Sequence, residues 1–221
     1  MKKTKIAVVG SGISGLSCAW LLLTKNYTID LFEKNYYFGG HTNTQTITVN
    51  NKNLNVDTGF IVFNDLNYTN LCKFFDSLNV KSYESDMSFG VSINRANLEY
   101  SGSNLSTIFA QKKNIVNINF LNMLVEVFRF NRNAEKDKEK YPDHTIEDYL
   151  QTKKYSEYFK YNHLYPMAAS IWSSSLDNIK GYPFSRFIDF FSNHGLLKIF
   201  NRPKWRTVLN GSRTYVDEVL N

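Results

Sequence analysis

The chain has 221 residues, enough for one large or two small domains with a real core. Hydrophobic residues make up 43% and charged residues 21%, an ordinary globular balance. The net charge is +6, but Lys and Arg occur in short scattered groups with no dense basic stripe, which argues against a nucleic-acid partner. Cys18 and Cys72 lie far apart, and the four histidines (His41, His144, His163 and His194) lack metal-ligand spacing. Free thiols in a reducing cytoplasm and no metal are therefore expected. No apolar run reads as a signal peptide or a membrane span.

In chain order, "KIAVVG" reads as a buried parallel strand ending in glycine. "ISGLSCAWLLLTKN" follows with Ile13, Leu16, Ala19, Trp20 and Leu23 at helical spacing. "YTIDLFEK" is a second strand, with Ile29, Leu31 and Glu33 on one face. The three make a β-α-β unit of about 30 residues. A loop, a Thr/Val/Ile strand, an Asn-rich turn and a short strand come next, then an amphipathic helix in "YTNLCKFFDSLNV". "MSFGVSI" and "LEYSG" read as a strand pair. "NINFLNMLVEVFRFNR" is a strong helix with Phe120, Leu121, Leu124, Val125 and Phe128 on one stripe. Its apolar residues exceed one stripe, as in a buried helix or one facing a membrane. Thr145 and Asp148 have capping-box spacing. Further helices run through "HLYPMAASIW" and "FSRFIDFFSNHGL", and "KWRTVLNGSRTYVDEVL" reads as strand, glycine turn and helix.

The stretch "VVGSGISGL" carries Gly10, Gly12 and Gly15 at G-x-G-x-x-G spacing. With 11 glycines in 221 residues, chance gives such a triplet in a few per cent of chains of this kind, so the spacing alone is weak. Its context is stronger, because it follows a strand and opens a helix. Gly10 permits a tight turn, Gly12 a close approach of pyrophosphate, and Gly15 close helix–strand packing. The helix N-terminus then offers N–H groups and a positive dipole end to phosphate. Glu33 ends the second strand, 23 positions after Gly10. A carboxylate there suits both ribose hydroxyls of an adenosine and repels a 2′-phosphate, which disfavours NADP. Gly39-Gly40 lets a second loop lie against the pyrophosphate or ribityl chain.

"VVGSGISGLSCAWLL", "LFEKNYYFGGHTNT" and "VDTGFIVFN" together resemble the flavin-containing amine oxidase superfamily, which includes protoporphyrinogen oxidases and carotenoid desaturases. Within it the chain is most similar to a bacterial group of NAD/FAD-binding proteins, through "DMSFGVS", "LEYSG", "LYPMAASIWS", "FFSNHGLL" and "RPKWRTVLNGSRTYV" as well. The resemblance implies an α/β fold: a Rossmann-like FAD-binding domain with a mostly helical α+β substrate-domain insertion. It places an FAD-binding segment at 1–65, a substrate or cap domain at 66–200 and a segment returning to the first domain at 201–221. Gly10, Ser11, Gly12, Ile13, Ser14 and Gly15 would form the pyrophosphate turn. Glu33 would bind the adenosine ribose with Lys34 beside it, Gly40, His41 and Thr42 would follow the cofactor, and Thr58, Gly59 and Phe60 would approach the flavin ring. The superfamily often has Arg where this chain has His41.

The implied activity is FAD-dependent oxidation of a small amine or a hydrophobic substrate, with hydride passing to flavin N5. Such chemistry needs no protein nucleophile, and no catalytic residue is assigned. Met167, Ile171 and Ser174 fall on one helical face; Trp172, Phe187, Phe191, His194 and Trp205 are candidates for an apolar pocket or for ordinary core. Superfamily members are about twice this length, so the chain reads as an N-terminal half. The missing half would be a separate chain, and this half alone would hold FAD poorly. An NAD-dependent dehydrogenase and a non-catalytic split nucleotide-binding subunit are the alternative readings. Peripheral membrane contact is a further expectation.

Overall fold

The structure, a computed structural model, describes residues 4–94, 97–198 and 202–221. It divides into two units, 1–87 with 203–221, and 88–202.

The first unit opens with β1 (Lys5–Val9), α1 (Ile13–Thr24) and β2 (Thr28–Phe32). The strands pair in parallel, Lys5 opposite Thr28 through Val9 opposite Phe32. Leu16 and Ala19 are the buried side of α1, whereas Ile13 and Leu23 are exposed. β1 was expected to be buried, but its residues alternate between exposed and half-buried, and Val9 is 84% exposed. The reason is that β1 pairs with β2 alone among the described strands. Next come β3 (Thr44–Val49) and β4 (Lys52–Asp57), an antiparallel hairpin. Asn50 and Asn51 turn it with φ of +50° and +60°, the geometry a two-residue hairpin loop needs. β5 (Phe63–Asn64), α2 (Thr69–Ser77) and β6 (Ser82–Ser85) complete this stretch.

The second unit begins with the antiparallel pair β7 (Gly90–Ile93) and β8 (Leu98–Ser101). α3 (Leu105–Ile108) and a 3-10 turn at Lys112–Val116 lead into α4 (Ile118–Asp137). α5 (Ile146–Thr152) starts on the expected capping box: Thr145 Oγ1 accepts from Asp148 N–H, and Asp148 accepts from Thr145 N–H. α6 (Glu157–Phe159) runs through a π turn at Lys160–Leu164 into α7 (Tyr165–Trp172); α8 (Leu176–Lys180) and α9 (Phe184–Asn193) follow. The core is aromatic: Phe120, Phe130, Tyr149, Phe159, Tyr165, Phe184, Phe187 and Phe191 are buried together. α4 does not bury the expected stripe. Phe120, Met123, Phe130 and Ala134 face the core, while Leu121, Val125 and Phe128 are exposed. The helix is apolar on two sides, and the core takes only one. The expected face of Met167, Ile171 and Ser174 also breaks, because Ser173 turns left-handed at φ +47° and ends α7 before Ser174.

β9 (Trp205–Val208) and α10 (Arg213–Leu220) return to the first unit. β9 is the central strand of an antiparallel sheet, between β5 and β6. The core here is Leu16, Phe63, Phe74, Phe75, Leu78, Val80, Val208, Tyr215 and Val216. The expected boundary at 65/66 therefore falls too early. Residues 66–87 supply α2 and β6, whose side chains and ladder partners belong to this first core. The expected limits at 200 and 201 lie outside the described residues.

Candidate functional site

β1 delivers the chain to Gly10, which sits at φ +95°, and its N–H donates to Phe32 O at 2.7 Å. A Cβ on Gly15 would stand 1.9 Å from Gly10 O, so helix and strand can approach this closely only with glycine there. Gly12 differs. Its φ is −67°, and a Cβ added to it meets nothing within 4 Å. The turn itself demands Gly10 and Gly15; Gly12 instead leaves open space in front of α1. Among the described residues no side chain caps that helix, and its first turn carries no acid. Its leading N–H groups and positive dipole end are thus directed at that space.

Glu33 follows β2 and binds the turn. Ser11 N–H and Ser11 Oγ–H donate to Oε2 at 2.9 and 2.6 Å, and Asn35 N–H donates to Oε1 at 2.9 Å. These bonds, the Ser11 hydroxyl first, hold the carboxyl down at about 2. The Lys34 N–H adds to the same set, so the carboxylate is ringed by donors from the turn and from its own loop. Ser11 is fully buried, and Lys34 is exposed beside the acid.

The second glycine pair lies on the first. Gly39 and Gly40 have φ of +118° and +61°. Gly39 N–H donates to Ser11 O at 3.0 Å, and a Cβ on Gly40 would come 2.9 Å from Gly12 Cα. The loop then passes exposed His41, whose carbonyl oxygen would meet a Cβ on Gly59 at 1.9 Å. Thr42 is buried, with Oγ1 2.6 Å from Tyr215 Oη. Thr58 N–H and Oγ1 donate to Asn43 O at 2.9 and 3.0 Å. The structure therefore gathers Gly10–Gly15, Glu33 and Gly39–Thr42, with Thr58 and Gly59 alongside. Ile13 and Ser14 lie at the exposed start of α1. Phe60 turns its ring inward, stacked on Phe63 at 6.2 Å, so its side chain belongs to the core.

Nothing local in the sequence signals the clamp that fastens α10. Asp57 accepts from Ser212 N–H at 2.9 and 3.0 Å, from Ser212 Oγ at 2.7 Å and from Thr44 Oγ1 at 2.5 Å. Thr44 Oγ1 in turn accepts from Arg213 N–H at 2.9 Å. The turn before α10 is left-handed at Asn210 (φ +66°) and Gly211 (φ +96°), and a Cβ on Gly211 would strike Thr44 Cγ2 at 2.5 Å. The available signal was an acid ending a strand and a serine starting a helix, too far apart in sequence to be paired.

In the second unit Trp172, Phe187, Phe191 and His194 do come together. Phe187 and Phe191 stack at 4.1 Å, Trp172 lies 4.8 Å from Phe190, and His194 stacks on Phe190 at 3.9 Å. Phe187 and Phe191 are buried core, and half-buried Trp172 and His194 pack at its margin. Trp205 is elsewhere, in β9 of the first unit. A residue the sequence did not single out is His163, in the π turn. Tyr100 Oη donates to Asn162 O at 2.8 Å and lies 2.9 Å from His163 Nδ1, so Nδ1 carries the ring proton. Burial among Phe89, Tyr100 and Phe159 lowers its pKa to about 4, leaving it neutral. Among the described residues no cluster of His, Cys, Asp and Glu is arranged to hold a metal.

Residues 8–78 match the family model of the NAD(P)-binding Rossmann-like domain. Cyclohexylamine oxidase from Brevibacterium oxydans IH-35A shares the fold at TM-score 0.66 and 14% identity, over 99% of this chain and 49% of that one. Putrescine oxidase, in its wild-type form bound to putrescine, matches at TM-score 0.60 and 17% identity, over 100% and 49%. An oxidoreductase from Methanosarcina mazei matches at 0.58 and 12%, over 98% and 48%. The chain thus spans about half the length of these structures. No curated protein matches it.

Proposed function

From a chain that carries an NAD(P)-binding Rossmann-like domain at 8–78 and follows the amine oxidase fold throughout, we infer the dinucleotide-binding part of an FAD-dependent oxidoreductase acting on an amine or hydrophobic substrate. The observation that carries this is the space in front of α1: an uncapped helix N-terminus, a Gly12 whose Cβ position is open, and an ionised Glu33 at its edge. The N–H groups of Ile13 and Ser14 suit a pyrophosphate. The half-buried carboxylate of Glu33 suits a ribose hydroxyl, while its charge repels a 2′-phosphate. Ser11 holds that carboxylate in place, and Gly39–Gly40 hold the turn from the other side. His41, Thr58 and Gly59 continue from the same turn, with buried Thr42 anchoring the loop on Tyr215. When bound, FAD supplies a hydride acceptor at its N5.

The description of the matching domain favours a second reading, a nicotinamide-dependent dehydrogenase. Incubation of the protein with equimolar FAD, NAD and NADP, followed by gel filtration and extraction, separates the two. Weak retention is expected of this half-length chain, with flavin the dominant dinucleotide among what is carried. Recovery of nicotinamide dinucleotide alone would overturn the flavin reading.

A further inference from the structure

We propose that the outward side of α4, with the turn before it, docks on an anionic lipid surface. α4 has two apolar sides. Phe120, Met123, Phe130 and Ala134 fill the second unit's core. Ile118, Leu121, Val125 and Phe128 recur at i, i+3, i+7 and i+10 on the other side, where Ile118 is 72%, Val125 65% and Phe128 55% exposed. Ile115 and Val116, the latter 81% exposed, continue the ridge into the 3-10 turn, and Leu105 of α3 is exposed as well. Single exposed apolar side chains are ordinary, but a ridge along one helix face with apolar flanks marks a contact surface.

Charge identifies the occupant. Between residues 105 and 132 the basic side chains are Lys112, Lys113, Arg129 and Arg132, and the one acid is Glu126. Glu126 is turned away, accepting from Ser156 N–H and Oγ and pairing with Arg129. Lys112 and Lys113 lie exposed at one end of the ridge and Arg132 at the other, while Arg129 is held by Glu126 and the Tyr155 ring. Apolar side chains between basic ends are the pattern of a helix lying in the headgroup plane of an anionic membrane. Lying on the surface is the relevant geometry, since no described helix is long and apolar enough to cross a membrane.

The test is flotation of the protein with vesicles of phosphatidylcholine alone and of equimolar phosphatidylcholine and phosphatidylglycerol. Association with the anionic vesicles is expected, weakened by salt. Val125→Glu with Phe128→Glu should weaken it about tenfold or more without lowering the melting temperature, because both positions face outward. Lys112→Glu with Lys113→Glu should remove the preference for anionic lipid and retain the fold. No flotation with anionic vesicles would overturn the proposal, as would equal flotation of the Val125/Phe128 variant. A concentration-dependent dimer abolished by that variant, in a protein that ignores vesicles, would assign the ridge to a second copy and overturn it too.

Discussion

The two units are held together by different means. The second closes around stacked rings: Tyr149 lies 3.7 Å from Phe184, Phe187 4.1 Å from Phe191, and all four are buried. The first has a smaller apolar core and an open parallel pair of strands, with Val9 and Phe32 exposed. It is fixed instead by backbone contacts that only glycine permits and by two carboxylates, Glu33 and Asp57, each gathering N–H and hydroxyl donors from distant segments. Apolar packing serves a unit whose demand is shape. Polar clamps and close backbone contacts fix one whose core is small.

Substitutions sharpen this contrast. Phe187→Ala should cost the second unit about 3–5 kcal/mol by urea unfolding, because the rings around it cannot collapse into the cavity. Gly15→Ala should cost the first unit about 3 kcal/mol, since its Cβ meets Gly10 O and the backbone must move. Gly12→Ala, three residues away, should shift stability by less than about 1 kcal/mol and instead block pyrophosphate approach. If both glycine variants unfold alike, the distinction between fold glycine and ligand glycine is lost. Asp57→Ala should cost about 2 kcal/mol, read as easier proteolytic release of residues 203–221.

The smallest effect concerns pH. Glu33 is held at about 2 in the folded chain against 4.5 for the free group. The folded state therefore binds fewer protons than the unfolded one in this window, and the contribution is whole above 4.5 and fades as pH falls toward 2. Glu33→Gln should flatten that part of a stability–pH curve. An unchanged curve would mean that Ser11 does not hold the carboxylate.

Much of the first unit was legible because its demands are local. The spacing of Gly10, Gly12 and Gly15, the strand before them and the helix after them each have a short-range cause. Glu33 was legible as an acid closing the second strand, but its tie to Ser11 was not, since the sequence shows an acid and not what already bonds to it. The Asp57–Ser212 clamp was hidden by sequence distance. In the second unit the helices were readable from periodicity, yet α4 shows the limit. Phe120, Leu121, Leu124, Val125 and Phe128 form a good stripe, but the helix offers two apolar sides, and only packing decides that Phe120 and Met123 go in while Val125 and Phe128 stay out. Of the aromatic residues suggesting a pocket, Phe187 and Phe191 are core for the same reason: composition does not tell a filled space from an empty one.

The most direct test is a titration of the 15N-labelled protein with ADP, followed residue by residue. In the proposed site the adenosine diphosphate moiety would meet the N–H groups of Ile13 and Ser14 and the carboxylate of Glu33. The account predicts shifts concentrated at Gly10, Gly12, Ile13, Ser14 and Asn35, lost in Gly12→Ala, and weaker binding of 2′-phosphorylated ADP. Absence of shifts in that turn, or equal binding of the 2′-phosphorylated compound, would contradict it.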